Sequence, residues 1–305
     1  MINSLEIPDV PFSLLTSLPL TRDHWIKIAQ NASWQTTRMN LNTFERHGVF
    51  EDQETVKILA ARLRDRAEIK RSKVFPYQLL IAYQNATSAP RIIREALQDA
   101  LEIATENVPA LEGNVWVFID VSGSMHSPVT GVRKGSTSKV SCVDVASLIT
   151  ACIVRKNLDA SVMAFSDNVV AVNLNPRDTV ITNAQKLMSL PSGGTNCSAP
   201  MIALEKSGKP ADLIIYVSDN QSWIDASHSN NTETYNAFKR IKAKQPDAKL
   251  ICINLQPYAD TQAQESTDVL NIGGFSDAIF DLISAFTRGG NPAAHWLEQI
   301  EAIAV

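Results

Sequence analysis

Five polar side chains in this sequence could together bind a divalent cation. Asp120, Ser122 and Ser124 occupy alternate positions directly after a short apolar run. Thr195 follows two glycines, and Asp219 ends a second apolar run further along the chain. Carboxylate and hydroxyl oxygens are hard donors, which suit Mg²⁺, Ca²⁺ and Mn²⁺. We therefore predict a divalent cation site at these residues, with Mg²⁺ as the expected ion.

Two competing interpretations of the same residues are weaker. Asp and Ser often do no more than cap turns, but the distant Thr195 and Asp219 would then fit the pattern by chance. A catalytic serine needs a positioned base, and the nearest candidate in sequence, His126, has no evident acid to orient it. The stretch also lacks the Gly-Lys-Ser/Thr of a phosphate-binding loop. We therefore expect a protein that is not an enzyme.

The elements that must position these residues alternate between strands and helices from about residue 108. Short apolar runs that end in small polar residues indicate buried parallel strands, whose carboxyl ends bind ligands in open α/β sheets. We predict strands at 115–119, 161–165, 169–174, 214–218, 249–255 and 268–272. The helices are expected at 140–156, 180–190, 232–244 and 276–287. Residues 111–305 should thus form a doubly wound, mostly parallel α/β sheet.

Residues 1–110 show helical patterns and no strand signal. The first 20 residues contain three prolines and predict an extended lead-in. Helices should begin after Thr21, near Ser33, after Asp52, at Pro76 and after Pro90. The third should carry its apolar face as far as Ala67, and the second should stop near Gly48. Successive helices with short links predict an α-helical repeat segment of the solenoid type.

The Asp-x-Ser-x-Ser motif with a distant Thr and a distant Asp resembles the metal-ion-dependent adhesion site of the von Willebrand factor A family. All five positions of that pattern are present, as Asp120, Ser122, Ser124, Thr195 and Asp219. The resemblance implies a von Willebrand A-like domain. It also implies a protein partner, because in that family an acidic residue of a partner commonly completes the shell of the ion.

Several longer segments resemble the Ro ribonucleoprotein (TROVE-domain) family; they are Arg38–Phe44, Phe75–Ala82, Pro191–Met201, Ala211–Asn220 and Leu270–Phe275. That family joins a ring of helical repeats to a von Willebrand A domain. Its ring binds single-stranded ends of misfolded RNA, and its outer face binds small structured Y RNAs. The resemblance implies a ribonucleoprotein component that binds RNA, with a Y-like RNA as one expected partner.

The helical segment is shorter than the resemblance would require. A full ring needs more helices than residues 1–110 supply, so the chain is either a half-length member or takes the missing repeats from a second chain. We expect apolar surface at the incomplete end, from Trp25, Trp34, Phe44 and Phe50, and hence a dimer or a hetero-complex. In the alternative, the lead-in folds back over that end through Phe12, Leu14, Leu15 and Leu18.

A cluster of basic residues is the only local sign of nucleic-acid binding. It consists of Arg62, Arg64, Arg66, Lys70, Arg71 and Lys73. These side chains could neutralise RNA phosphates, or they could form an ordinary solvated helix face. The rival function is a metal-dependent protein-interaction module that docks an acidic partner or a separate helical-ring chain and does not bind RNA directly.

The composition is that of an ordinary globular protein of 305 residues, with 45% hydrophobic and 20% charged residues. A net charge of −4 gives no global argument for nucleic acid. No apolar run approaches the roughly 18 residues of a membrane span, and no signal peptide is evident. Four cysteines without metal or disulfide spacing favour a reduced, cytoplasmic protein.

Overall fold

The computed structural model describes residues 18–129, 140–219, 232–256, 266–275 and 279–288, and in addition residues 7, 10, 12–15 and 263, with only the backbone of residue 13. The chain divides into two compact units, Met1–Asn107 and Val108–Val305. The boundary expected from the sequence lies after residue 110. Each unit is described separately below.

The first unit is α-helical in its described part. Its helices are α1 (Phe12–Leu15), α2 (Arg22–Asn31), α3 (Trp34–Met39), α4 (Leu41–Arg46), α5 (Gln53–Leu63), α6 (Arg66–Ser72), α7 (Pro76–Asn85) and α8 (Arg91–Ala104). Side-chain caps set several starts, as where Asp52 accepts the Thr55 N–H at 2.9 Å. Pro76 occupies the first position of α7, where a missing N–H costs nothing. Apolar residues at helical spacing, such as Ile93, Leu97 and Leu101, are buried.

Two of the predicted helices are each split in two. The helix expected to run through Ala67 ends at Leu63, because the Asp65 carboxylate accepts the N–H groups of Ala67 and Glu68 and starts α6. Ala67 is therefore exposed, and its predicted place on the apolar face is wrong. The helix expected from Ser33 likewise breaks at Asn40, which separates α3 from α4.

The aromatic residues expected to form an exposed end are largely buried. Trp25, Trp34 and Phe44 are at most 3% exposed, so the prediction that they supply apolar surface is wrong, while the fourth residue, Phe50, is half-buried. Phe12 of α1 contacts Trp25 and Phe44 edge-on, with ring centroids 6.2 and 6.5 Å apart. Leu15 of α1 is also buried. The lead-in is thus partly helical and contacts two of these rings through Phe12, whereas Leu14 and Leu18, which the alternative also named, are exposed.

The second unit contains one six-stranded sheet, with the order β3-β2-β1-β4-β5-β6. Its strands are β1 (Val115–Asp120), β2 (Ser161–Phe165), β3 (Val169–Val170), β4 (Leu213–Ser218), β5 (Lys249–Asn254) and β6 (Val269–Gly273). All neighbouring pairs are parallel except β2 and β3. The predicted mostly parallel α/β sheet is confirmed. Only the strand expected at 169–174 is much shorter than predicted.

Helices flank this sheet, namely α9 (Cys142–Lys156), α10 (Val180–Met188), α11 (Ser198–Ser207), α12 (Glu233–Lys244) and α13 (Ile279–Thr287). Residues 276–278, where the last helix was expected to start, lie outside the described residues. The α9 helix contacts β1 and β4, while α11 and α12 contact each other. Phe118 and Tyr216 pack with α11 and α12 residues such as Met201 and Phe238 in one buried cluster.

The sequence reading missed α11. Its hydrophobic periodicity is weak, and Pro200 suggests a loop when seen in isolation. Pro200 is the third residue of the helix, where no N–H is needed for an intrahelical bond. The helices of the described segments include none that is both long and apolar enough to cross a membrane. All four cysteines, each in the described part of the chain, are buried thiols outside any disulfide.

The half-buried Arg62 joins three helices of the first unit. Its guanidinium on α5 donates to the carbonyl oxygens of Ala29, at 2.7 Å, and of Gln30, at the C-terminal end of α2. It also donates to the Thr37 hydroxyl of α3 at 3.1 Å. Burial lowers the pKa of Arg62 from its ordinary value. One side chain therefore ties α5 to the last turn of α2 and to α3.

We expect Arg62→Met to lower the free energy of unfolding by about 2 to 3 kcal/mol, because charge-assisted hydrogen bonds to buried carbonyls are lost. Urea denaturation of the full chain measures this. Lys73→Met, which also replaces a cationic side chain by methionine but at an exposed residue, is the control. Equal urea midpoints for the two variants would contradict the structural role of Arg62.

Candidate metal centre

The predicted metal residues lie at the point where the sheet changes direction. The chain runs from β1 outward to β2 and β3, and then returns to place β4 on the other side of β1. The carboxyl ends of β1 and β4 therefore diverge into a crevice, which is where open α/β sheets bind ligands. Asp120 is the last residue of β1, and Asp219 directly follows β4.

Asp120 is a fully buried carboxylate with partners on both oxygens. Its Oδ1 accepts the Ser122 backbone N–H at 2.8 Å, and its Oδ2 accepts the Ser218 hydroxyl at 2.7 Å. Burial, and to a smaller extent the charge of Asp219, raises the pKa of Asp120 to about 6. The hydrogen bonds from Ser122 and Ser218 lower the pKa but do not cancel this effect. Two acidic groups thus share a desolvated position, which favours a bound cation or a bound proton.

The loop after β1 presents two hydroxyls beside Asp120. Residues Gly123–His126 form a short 3-10 helix, which folds the loop back toward the strand end. Ser122 is fully buried, and its Oγ lies 3.2 Å from Oγ of the half-exposed Ser124. The Asp-x-Ser-x-Ser motif has an oxygen-bearing side chain at every second residue. The loop brings these three side chains together.

Backbone hydrogen bonds bring the loop of Thr195 to the same place. The Gly123 N–H donates to the Gly193 carbonyl at 2.9 Å, and the Asn196 N–H donates to the Ser166 carbonyl at 2.8 Å. The Tyr216 hydroxyl of β4 donates to the Cys197 carbonyl at 2.8 Å. Thr195 lies between these anchors and is 2% exposed. The loop is therefore fixed to both β1 and β4.

Asp167 is a residue of this region that the sequence reading did not single out. Asp167 lies in the loop that follows β2, and its carboxylate accepts a hydrogen bond from the Gly194 N–H at 2.9 Å. A Cβ on Gly193 or Gly194 would collide with that carboxylate, so a larger residue at either position would have to displace the Asp167 side chain. The two glycines before Thr195 were the available sequence signal, but nothing in the sequence shows which residue approaches them.

The donor set fits a hard cation and not a soft one. Among the described residues, no group of three His, Cys, Asp or Glu side chains could hold a metal ion by itself. The candidate centre instead combines two carboxylates with hydroxyls, the ligand type that Mg²⁺ and Ca²⁺ take. Burial, together with the charges of Asp219 and Asp120, raises the pKa of Cys142 to about 12, so this neighbouring thiol stays neutral. Its sulfur is not in the thiolate form that metals bind.

The structure thus brings the five predicted residues to one edge of the sheet. Asp120 and the two serines are joined by hydrogen bonds, and Ser218 joins Asp120 to the strand that Asp219 follows. Thr195 arrives through the contact between Gly123 and Gly193. Their role as ligands of a cation stays a prediction.

The six basic residues proposed for RNA do not form one free surface. Arg62 points inward, as described above. Three carboxylates oppose four of the others: Asp99 pairs with Arg64 at 2.6 Å, Glu106 with Arg66 and, at 3.0 Å, Lys70, and Glu68 with Arg71 at 2.6 Å. Lys70, followed by Arg66, lowers the pKa of Glu106. Lys73 is exposed at the end of α6, in a left-handed conformation. These ion pairs favour the solvated helix face.

The raised pKa of Asp120 predicts how stability depends on pH. A carboxyl whose folded pKa, about 6, exceeds its unfolded value favours folding below pH about 4, and this contribution is lost as the pH rises through about 6. In metal-free buffer, Asp120→Asn should therefore gain stability relative to wild type by up to about 3 kcal/mol between pH 4 and 7.5. Urea titrations at both pH values measure this. A difference between the two proteins that does not change with pH would contradict it.

Comparisons with known proteins show the family to which this sequence is similar. The family model described as the Ro60 vWA domain matches residues 114–287. The RNA-binding protein RO60 of Deinococcus radiodurans is 29% identical over 269 residues, which are 82% of this chain and 48% of the relative. The protein of the same name from Caenorhabditis elegans is 26% identical over 252 residues, 78% of this chain and 38% of the relative.

A solved structure shows the same fold over most of the chain. The crystal structure of the Deinococcus radiodurans Ro (RSR) protein matches with a TM-score of 0.72 and 25% identity, over 91% of this chain and 58% of that one. The chain spans about half the length, or less, of the curated relatives it matches. Since the family model covers more than half of the residues, the chain belongs to the Ro60 vWA domain family.

Proposed function

We propose that this chain is a non-catalytic, cytoplasmic component of a ribonucleoprotein. It would bind RNA through its helical unit, and a divalent cation, most simply Mg²⁺, at Asp120, Ser122, Ser124, Thr195 and Asp219. The observation that carries the metal part is the meeting of two buried carboxylates and three hydroxyls where β1 and β4 diverge. A Y-like RNA is the finer expectation for the RNA.

Support for RNA comes from the relatives. Two curated proteins that match about four fifths of this chain are both named RNA-binding proteins. Both matches are longer than the sheet-containing unit alone, so the likeness includes part of the helical unit. Because the chain covers at most half of each relative, RNA binding by this chain is itself part of the proposal.

Support for a cation comes from charge. Asp120 and Asp219 are both buried, and the charge of Asp219 raises the pKa of Asp120, so a nearby positive charge would favour the ionised form of Asp120. A bound Mg²⁺ would supply that charge and, with several neutral ligands, would keep affinity for an outside carboxylate or phosphate. Asp167 would hold the Thr195 loop in place for it.

A second candidate function rests on the exposure of Ser124. Asp120, Ser122, Thr195 and Asp219 are buried, but Ser124 is half-exposed, so the centre opens toward the outside on that side. An acidic residue of a protein partner could reach a cation there. The chain would then be a metal-dependent protein-interaction module with an acidic partner at the metal centre. A further partner, either a second copy of this chain or a separate chain, could bind the helical unit.

Magnesium should stabilise the fold if the centre is real. At about 100 times its dissociation constant, Mg²⁺ should add roughly 2.7 kcal/mol to the free energy of unfolding. Asp120→Ala should abolish the effect, and Asp167→Ala should demand more Mg²⁺ for the same gain. Asp159→Ala is the matched control, because Asp159 is exposed and precedes the start of β2, at the end of that strand opposite to the candidate centre. Thermal melts that shift equally in Asp120→Ala and wild type would sink the assignment.

RNA binding is tested by ultraviolet crosslinking of the full chain in native extract, followed by identification of both RNA and protein in the purified complex. The proposal predicts crosslinked RNA that survives removal of Mg²⁺ by a chelator, because the helical unit would carry the contact. Mg²⁺-dependent recovery of a protein with no crosslinked RNA would instead favour the second candidate.

A further inference from the structure

Three polar side chains stand in a row across the carboxyl ends of β1, β4 and β5. Ser218 of β4 pairs with Asn254 of β5 in the parallel register, and the Ser218 hydroxyl donates to Oδ2 of Asp120 at 2.7 Å. Residues that pair in a parallel ladder point to the same face of the sheet. Asn254 therefore places its carboxamide on the face that carries Asp120, one strand beyond Ser218.

The Asn254 carboxamide has a buried oxygen without a hydrogen-bond donor. The residue is 4% exposed, and from the part of the chain that the structure describes no donor reaches its Oδ1. An unpaired buried acceptor is unfavourable, so such oxygens are usually found with a protein donor or an ordered water. The carbonyl group of this side chain is therefore suited to a donor that comes from outside the chain.

Backbone hydrogen bonds hold Asn254 in this position from both sides. The Leu255 N–H donates to the Ser218 carbonyl at 2.9 Å, and the Gly274 N–H donates to the Asn254 carbonyl at 2.8 Å. The end of β5 is thus joined to β4 on one side and to the residue after β6 on the other. A one-residue slip, which would turn the side chain to the other face, would break this pairing.

A second asparagine shows that an unpaired oxygen does not by itself identify a site. Asn271 of β6 pairs with Cys252, so it lies on the same face but further from the carboxyl end of the sheet. Its Oδ1 is also buried and has no donor among the described residues, although its amide donates to the Ala263 carbonyl at 3.0 Å. Asn254 differs in lying beside the end of the strand that Asp219 follows.

The polar groups next to Asn254 do not supply the donor. The Ser218 hydroxyl proton is already directed to Asp120, and ionised carboxylates such as Asp120 and Asp219 only accept hydrogen bonds. A water bound to a cation would be a suitable donor, because Mg²⁺ usually keeps several waters in proteins and makes their protons more acidic.

From these observations we infer that Asn254 is a positioning residue of the metal centre, whose Oδ1 accepts a hydrogen bond from a water held by the bound cation. The inference rests on the proposed function and extends the centre from β1 and β4 to a third strand. Groups that hold the ligands of a metal in place commonly contribute about 10- to 100-fold to its affinity.

The test measures how much Mg²⁺ is needed to stabilise the full chain in wild type, Asn254→Leu, Asn254→Asp and Asn271→Leu. Leucine has the branching of asparagine but no polar atom, whereas aspartate keeps the acceptor and adds negative charge. The readout is the Mg²⁺ concentration that gives half of the maximal rise in melting temperature. Melts in metal-free buffer show whether each variant is folded.

We expect Asn254→Leu to raise this concentration by about tenfold, while Asn271→Leu leaves it unchanged and Asn254→Asp does not raise it. The same value in Asn254→Leu and wild type, or an equal increase in Asn271→Leu, would overturn the role of Asn254 and leave the metal centre intact. An increase in Asn254→Asp would also overturn it, and this variant decides if Asn254→Leu does not fold. A wild-type melting temperature that does not respond to Mg²⁺ would overturn the metal centre itself.

Discussion

The second unit is organised around a buried negative charge. Asp120 lies at the end of the central strand, fully shielded from water, with Asp219 close enough to raise its pKa. Isolated charge in such a position is unfavourable unless it is neutralised, so the surroundings have to compensate. Hydrogen bonds from Ser122 and Ser218 do so in part. The order of the strands puts both carboxylates at one crevice, and the loops supply further oxygens there.

The loop of Thr195 shows how strongly the fold constrains this place. It is held by Asp167, by the Ser166 carbonyl, by Gly123 and by the Tyr216 hydroxyl. Tyr216 is fully buried and packs edge-on against Phe118, with centroids 5.0 Å apart. The Tyr216 hydroxyl therefore connects the aromatic core of the sheet to the Thr195 loop. We expect a change in the packing of Tyr216 to move that loop.

Much of the sheet could be predicted because its strands carry a local signal. The buried runs at 115–119 and 213–217 contain no charged or small polar residue, and Asp120 and Ser218, which follow them, mark the ligand-binding ends. The five candidate ligands followed from that signal and from a known motif. Asp167 did not, because its role depends on a contact 27 residues away in sequence with Gly194. The α11 helix was not predicted, because Pro200, its third residue, is a residue type that usually interrupts helices.

The helical unit shows the limit of reading charge from sequence. Six basic residues within 62–73 left open a phosphate-binding cluster or a solvated helix face. In the structure, Arg62 binds backbone carbonyls of α2, and Glu106 pairs with Arg66 and Lys70. The opposing carboxylates come from α6, α8 and the turn after α8, most of them over 30 residues distant. Only the fold brings them close.

The central claim is that a divalent cation completes the crevice between β1 and β4. Anomalous diffraction from crystals grown with Mn²⁺ tests this most directly, because Mn²⁺ accepts the same oxygen ligands as Mg²⁺ and can be located by its own signal. The account predicts one strong peak among Asp120, Ser122, Ser124, Thr195 and Asp219, absent from crystals of Asp120→Ala. A map in which these loops are ordered but no peak lies among them would contradict it.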